Sequence, residues 1–123
     1  MTLKSSGRTI SERSSREQLL HGEPHPGNVL NAADGVWFID LETCCRGPVE
    51  FDLAHVPQAV GEAYAAADRE LIQECRRLVL AMVAAWRWNL DDQFPNGERA
   101  GRALLSALRA GAPWPTLDVV MNE

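Results

Sequence analysis

Glu23, Asn28 and Asp40 lie in the stretch HGEPHPGNVLNAADGVWFID at residues 21–40, and their types and spacing could do chemistry. The Glu23 carboxylate can orient an attacking hydroxyl or accept its proton. The Asn28 amide oxygen and the Asp40 carboxylate are hard oxygen ligands, the kind that holds Mg²⁺ against phosphate. His21-x-Glu23, four further residues and Asn28, then an Asp on a later strand, is the order in which phosphoryl-transfer loops place these groups. Such loops carry Asp where this chain carries Glu23. Glu is one methylene longer, and a shift of about 1 Å can cost about 10²-fold where geometry is tight. Pro24 and Pro26 supply a stiff loop in which the backbone can compensate.

Each of these residues also has a plainer role. Glu23 could be a surface turn carboxylate and Asn28 a turn residue after Gly27. Asp40 falls among Phe38, Ile39 and Leu41 in an apolar strand, where a buried carboxylate is costly unless paired or metal-bound. In register with one another, the three are read as a site. Glu42 is a further candidate for the metal or acceptor site, or a solvated carboxylate. His25 and His55 are expected to be hydrogen-bonded structural residues, and Trp86, Trp88 and Trp114 packing anchors. Zinc hydrolysis through His21, Glu23 and His25 is rejected. It needs two His one helical turn apart on one helix, which Gly22, Pro24 and Pro26 prevent.

The elements around the stretch follow from pattern. Residues 1–17 are polar, Ser/Arg-rich and without period, so a disordered or loosely attached extension over 1–18 is expected. Leu19 and Leu20 lead into the loop. Val29–Leu30 and Val36–Leu41 read as strands of a hairpin turning at Asp34-Gly35, which would carry Asp40 back towards Asn28. Residues 43–50 read as a loop and Asp52 as the N-cap of a short helix ending near Pro57. From about Asp68 to Trp88, Leu71, Ile72, Cys75, Leu78, Val79, Met82, Val83 and Trp86 fall at helical spacing. Arg69, Glu70, Glu74, Arg76 and Arg77 take the other face. A second helix spans Gly97 to Ala110, with Leu104, Leu105 and Leu108 on its apolar side and Gly111 as the stop; 112–123 is a tail. No internal repeat is found.

Three blocks in order, HGEPHPGNVL, WFIDLE and GPVEFDLAHV, resemble the aminoglycoside phosphotransferase / choline kinase-like family, whose pattern is roughly HGDxHxGNxL, then xxIDxE, then GxxxxDLA. The resemblance covers about residues 19–90, more weakly to 110, and leaves out the first 18. It implies an α+β, mostly α chain: a partial C-terminal lobe of a protein-kinase-like fold, with catalytic loop, short β-hairpin, then helices. Residues 19–42 would be the catalytic loop and metal-binding hairpin, and 52–111 the helical part. Position by position, it implies Glu23 as catalytic base, His21 as its support, and Asn28 and Asp40 as metal and cofactor ligands. Asp52 would buttress the loop from a following helix. It further implies Mg²⁺, ATP or GTP as donor, and a small hydroxylated or amino-sugar-like acceptor.

The family places a nucleotide lobe before the catalytic loop, whereas only 20 residues precede His21 here. The sequence holds no G-x-G-x-x-G and no G-x-x-x-x-G-K-[ST], and its one lysine is Lys4. The nucleotide half of the site is therefore expected to be missing, and apolar surface left exposed, with self-association as the consequence.

Composition narrows the class. A chain of 123 residues that is 46% hydrophobic can bury one modest core. A net charge of −5 and a pI near 5.2 argue against a nucleic-acid partner. No apolar run approaches a membrane span and the N-terminus lacks a secretory h-region, so a cytoplasmic location is expected. Cys44, Cys45 and Cys75 make neither a disulfide framework nor a zinc site, and buried or partly buried free thiols are expected. Two classes remain: a phosphotransferase of this type, or a non-catalytic remnant that binds divalent metal or a partner.

Overall fold

A computed structural model of the chain describes Ile10, residues 17–89 and residues 96–121. In chain order these form strands β1 (Gln18–Leu20), β2 (Val29–Ala32), β3 (Gly35–Phe38) and β4 (Cys45–Gly47). Helices follow: α1 (Val49–Leu53), α2 (Gln58–Ala63), α3 (Arg69–Arg87), α4 (Gly97–Ala110) and α5 (Leu117–Met121). Single 3-10 turns lie at Pro26–Asn28 and Leu41–Thr43. The fold is α+β and mostly helical, as the resemblance implied.

The two long helices fall where periodicity put them. Asp68 caps α3 by accepting hydrogen bonds from the Glu70 and Leu71 N–H groups at 3.0 and 3.2 Å, worth about 1 kcal/mol. Gly111 ends α4 with φ 85°, a left-handed conformation that favours glycine. Helix α3 divides its apolar surface between two partners. Near its start, Leu71 and Cys75 pack with Ala54 and with Ile10, which is 8% exposed. Near its end, Leu80, Val83 and Ala84 pack with the fully buried Leu104 of α4 and Val120 of α5.

That division corrects the expected stripe. Arg76, assigned to the polar face, is buried between the two clusters, whereas Trp86 and Trp88 are half-exposed and only Trp114 packs against the core. A helix covered on two sides buries more than one stripe, which single-face periodicity cannot register. Cys75 is buried as expected, its thiol pushed up to about 12 by burial and by the Glu50 and Glu74 charges. Cys44 and Cys45 are exposed rather than buried, because β4 lies at the surface.

The segments without period hold the other departures. Residues 43–50, expected as a loop, contain β4 and the start of α1. β4 pairs antiparallel with β1, with Leu20 opposite Cys45 and Gln18 opposite Gly47. Three-residue strands joined across so long a separation leave no local alternation to read. Asp52 lies inside α1, whose N-cap is Pro48, so it is not the expected N-cap. The expected tail contains α5, with Val120 buried. The extension expected over 1–18 falls mostly outside the described residues; of these only Ile10, Glu17 and Gln18 are described, Ile10 being buried and Gln18 part of β1.

β2 and β3 form the expected hairpin, with Ala32 opposite Gly35 and Val29 opposite Phe38. The turn is Ala33–Asp34, one residue earlier than expected. The Asp34 carboxylate accepts the Trp37 indole N–H at 3.0 Å, and Gly35, φ 134°, opens the strand. β3 stops at Phe38 instead of Leu41. Beyond it Asp40 turns into the left-handed region, φ 59° and ψ 65°, and the chain enters the 3-10 turn. Leu30, Val36, Trp37, Phe38 and Leu41 are each half-exposed or more, so the hairpin presents apolar surface to solvent among the described residues.

Candidate active site

Pairing of β1 with β4 closes the chain around residues 21–44, and Asp52 of α1 ties the loop down. Its Oδ2 accepts the His21 backbone N–H and its Oδ1 the Gly22 N–H, both at 2.9 Å. A carboxylate taking two successive backbone N–H groups makes charge-assisted bonds that fix loop orientation. Gly22, buried at φ 96°, makes the turn between them. A Cβ there would overlap the Thr43 carbonyl oxygen and lie 2.9 Å from its carbonyl carbon.

His21 links this turn to the strand leading to Asp40. Its Nε2–H donates to the Ile39 carbonyl at 2.6 Å, and its Nδ1 accepts the Glu23 N–H at 3.2 Å. One neutral tautomer satisfies both bonds. The Thr43 hydroxyl donates to the His21 carbonyl at 2.9 Å, binding the segment after Asp40 to the loop as well. Thr43 was not singled out in the sequence, and Gly22 only as a residue that keeps the loop from being helical. A lone Thr carries no signal, while Gly22 stood within the motif without its steric role being visible.

Asn28 is 7% exposed and sits where the 3-10 turn meets β2. Its Nδ2 donates to the Glu23 carbonyl at 2.9 Å and lies 3.2 Å from His25 Nε2. His25 Nδ1 also receives the Gly27 N–H at 3.0 Å. A neutral imidazole has one bare nitrogen and can accept only one of those two bonds at a time, so the Glu23 carbonyl is the firm anchor of the amide. With Nδ2 spent there, Asn28 Oδ1 makes no hydrogen bond among the described residues. The Asn28 carbonyl accepts the Ile39 N–H at 2.9 Å, which places Asp40 one residue past the root of the hairpin.

Asp40 is exposed, so desolvation in an apolar strand does not account for it. Its backbone is left-handed, a conformation uncommon for a non-glycine residue that Asp tolerates better than most, at a cost of up to about 1 kcal/mol. Glu42, in the adjoining turn, is exposed, and Glu23 is half-buried. Among the described residues no group of three or more His, Cys, Asp or Glu could hold a metal ion by itself. Were Asn28 and Asp40 to hold Mg²⁺, its remaining ligand positions would fall to phosphate and water.

His55, buried beside the site, donates from Nδ1 to the Phe51 carbonyl at 2.9 Å. Burial lowers its pKa, opposed by that bond and by the Asp52 and Glu23 charges; the His25 charge adds to the lowering. Below the unfolded value of about 6.5 the unfolded chain binds a proton that the folded one resists. Stability is expected to fall as pH drops through this range, by at most about 1.4 kcal/mol per pH unit. His55→Gln should flatten that acid limb in urea titrations at pH 5–7. Asp52→Asn keeps one carbonyl acceptor but sets an amide NH₂ against a backbone N–H. It is expected to cost about 2 kcal/mol, read as a lower urea midpoint at unchanged slope.

An α+β, mostly helical chain with small two-stranded sheets is consistent with part of a kinase-like phosphotransferase domain. The chain belongs to the phosphotransferase enzyme family: the family model matches residues 3–74, more than half of its length. That match includes every candidate site residue and reaches back beyond the motif blocks. No curated protein and no solved structure matches the chain.

Proposed function

We propose that this site transfers the γ-phosphoryl group of a nucleoside triphosphate to the hydroxyl of a small molecule. The acceptor oxygen attacks phosphorus, the bond to the bridging oxygen breaks, and the nucleoside diphosphate leaves. Glu23 orients the hydroxyl and takes its proton. Asn28 Oδ1 and the Asp40 carboxylate would hold Mg²⁺, with Glu42 as an additional ligand. When bound, that cation neutralises charge on the phosphates. His21 and Asp52 keep the loop in shape and touch neither substrate.

The observation that supports this assignment is the anchored Asn28 amide, whose Oδ1 accepts no hydrogen bond among the described residues, with Asp40 next in the chain to the Ile39 N–H that the Asn28 carbonyl accepts. We take residues 19–42 as the transfer half of the site and 52–111 as its helical support. Cover for the nucleotide phosphates is proposed to come from outside residues 19–111. The exposed apolar faces of the hairpin are the proposed surface for self-association. Among the described residues no helix is long and apolar enough to cross a membrane.

The experiment measures Mg²⁺-dependent binding and consumption of ATP and GTP, with aminoglycosides, choline and other small hydroxylated acceptors. Acceptor-stimulated turnover is expected. Metal binding without nucleotide binding at millimolar ATP would instead identify a binding module that transfers nothing.

A further inference from the structure

Arg76 is 5% exposed and has no carboxylate partner among the described residues. Nη1 donates to the Trp114 carbonyl at 3.3 Å and Nη2 to the Val56 carbonyl at 3.2 Å, while the Nε–H is buried without a partner. A guanidinium offers five N–H donors and a full charge, and two neutral carbonyls leave most of both unmatched. Burial alone lowers its pKa; no neighbouring charge offsets it.

The same side chain lines a groove between α2 and α3 with a volume of about 120 Å³. That is about four times the ~30 Å³ share of one water. Gln58, Gly61, Glu62, Arg69, Ile72 and Gln73 complete its walls. Gln73 Oε1 is taken by the Trp114 N–H at 2.6 Å, so what the amide has left to offer is N–H donors. Glu62 is engaged by the Gln58 amide at 2.9 Å. Two cations therefore face one carboxylate that is already hydrogen-bonded. A second cavity beyond Arg76, beside Asp118, brings no further cation.

We propose that the α2–α3 groove binds the oxyanion group of a small molecule, a carboxylate or a phosphate monoester, on the Arg76 guanidinium with Arg69 at its rim. A planar guanidinium pairs such groups through two parallel N–H bonds. The groove draws on none of the residues assigned to phosphoryl transfer, so the proposal stands independently of that assignment. Its rival is a purely structural Arg76, a tie between Val56 and Trp114.

The test is thermal unfolding and calorimetric titration with inorganic phosphate and with acetate, without divalent metal and against chloride at matched ionic strength. The wild type should respond saturably to one of the two, and the preferred anion identifies the group taken. Gly61→Leu should abolish that response. Gly61 is helical, and a Cβ there meets only Ile72 Cδ1 at 3.8 Å, so the variant fills the groove and leaves Arg76 in place. Arg69→Gln should weaken binding, and Arg76→Gln should weaken it roughly tenfold or more. A wild type indifferent to both anions overturns the proposal. So does a response retained in Gly61→Leu, which would be general anion stabilisation or another site. If Arg76→Gln does not fold, Gly61→Leu and Arg69→Gln still decide.

Discussion

Replacing Gly22 by alanine is expected to destabilise the protein by about 3 kcal/mol and to dismantle the loop that carries Glu23 and Asn28. Two costs add. The backbone holds φ 96°, which an L side chain rarely adopts, and the new methyl would sit inside the Thr43 carbonyl group. Thr43 cannot retreat freely, because its hydroxyl holds the His21 carbonyl. Relief would require Asp52 to release one of its two backbone bonds. Against a total stability of about 5–15 kcal/mol, such a loss is large. Gly35→Ala is the control. Its φ of 134° is as unfavourable, but nothing lies within 4 Å of a Cβ there. Urea midpoints should therefore drop more for Gly22→Ala, and only Gly22→Ala should also raise His21 and Gly22 amide exchange. Equal effects at the two glycines would show that the contact with Thr43 is not what matters.

Asp40→Gly is expected to separate stability from function. Glycine relieves the left-handed strain, raising stability by up to about 1 kcal/mol. Removal of the carboxylate should lower Mg²⁺-dependent phosphoryl transfer on the order of 10²–10³-fold. Asp40→Asn is the companion. Asn tolerates the same backbone, so its stability should stay near wild type while activity falls through loss of charge. Parallel melting and turnover measurements decide the matter. A destabilised Asp40→Gly that keeps its activity would sink the assignment of Asp40 and the strain account together.

How far these residues were legible depends on the range of the forces that place them. Helices α3 and α4 were readable to the residue or nearly so, because each turn repeats the same apolar spacing and Asp68 and Gly111 mark their ends. The hairpin was readable as a hairpin, with its turn displaced by one residue, because Asp-Gly marks a turn without fixing which residues pair across it. Strands β1 and β4 were not readable, because each is defined by a partner remote in sequence. Arg76 was misassigned for the same reason: its burial comes from segments that meet only in the folded chain.

The site divides similarly. Glu23, Asn28 and Asp40 stood out through type and spacing, and Asp52 through resemblance. The reason first offered for Asp40, a buried carboxylate in an apolar strand, does not hold, and a strained backbone takes its place. Thr43 and the steric demand at Gly22 arise only once residues 22 and 43 meet in the folded chain.

The hairpin root gives the site an unusual lever. Asn28 and Asp40 stand at the ends of two strands that touch little else, and the distance between them depends on whether those strands stay zipped. The strands are zipped by the Ala33–Asp34 turn at the far tip, with its indole-to-carboxylate latch. Substitutions at that tip would reach no substrate, yet they would loosen the jaws of the clamp. If Asn28 and Asp40 hold the proposed cation, its affinity is set in part at the end of the hairpin remote from them.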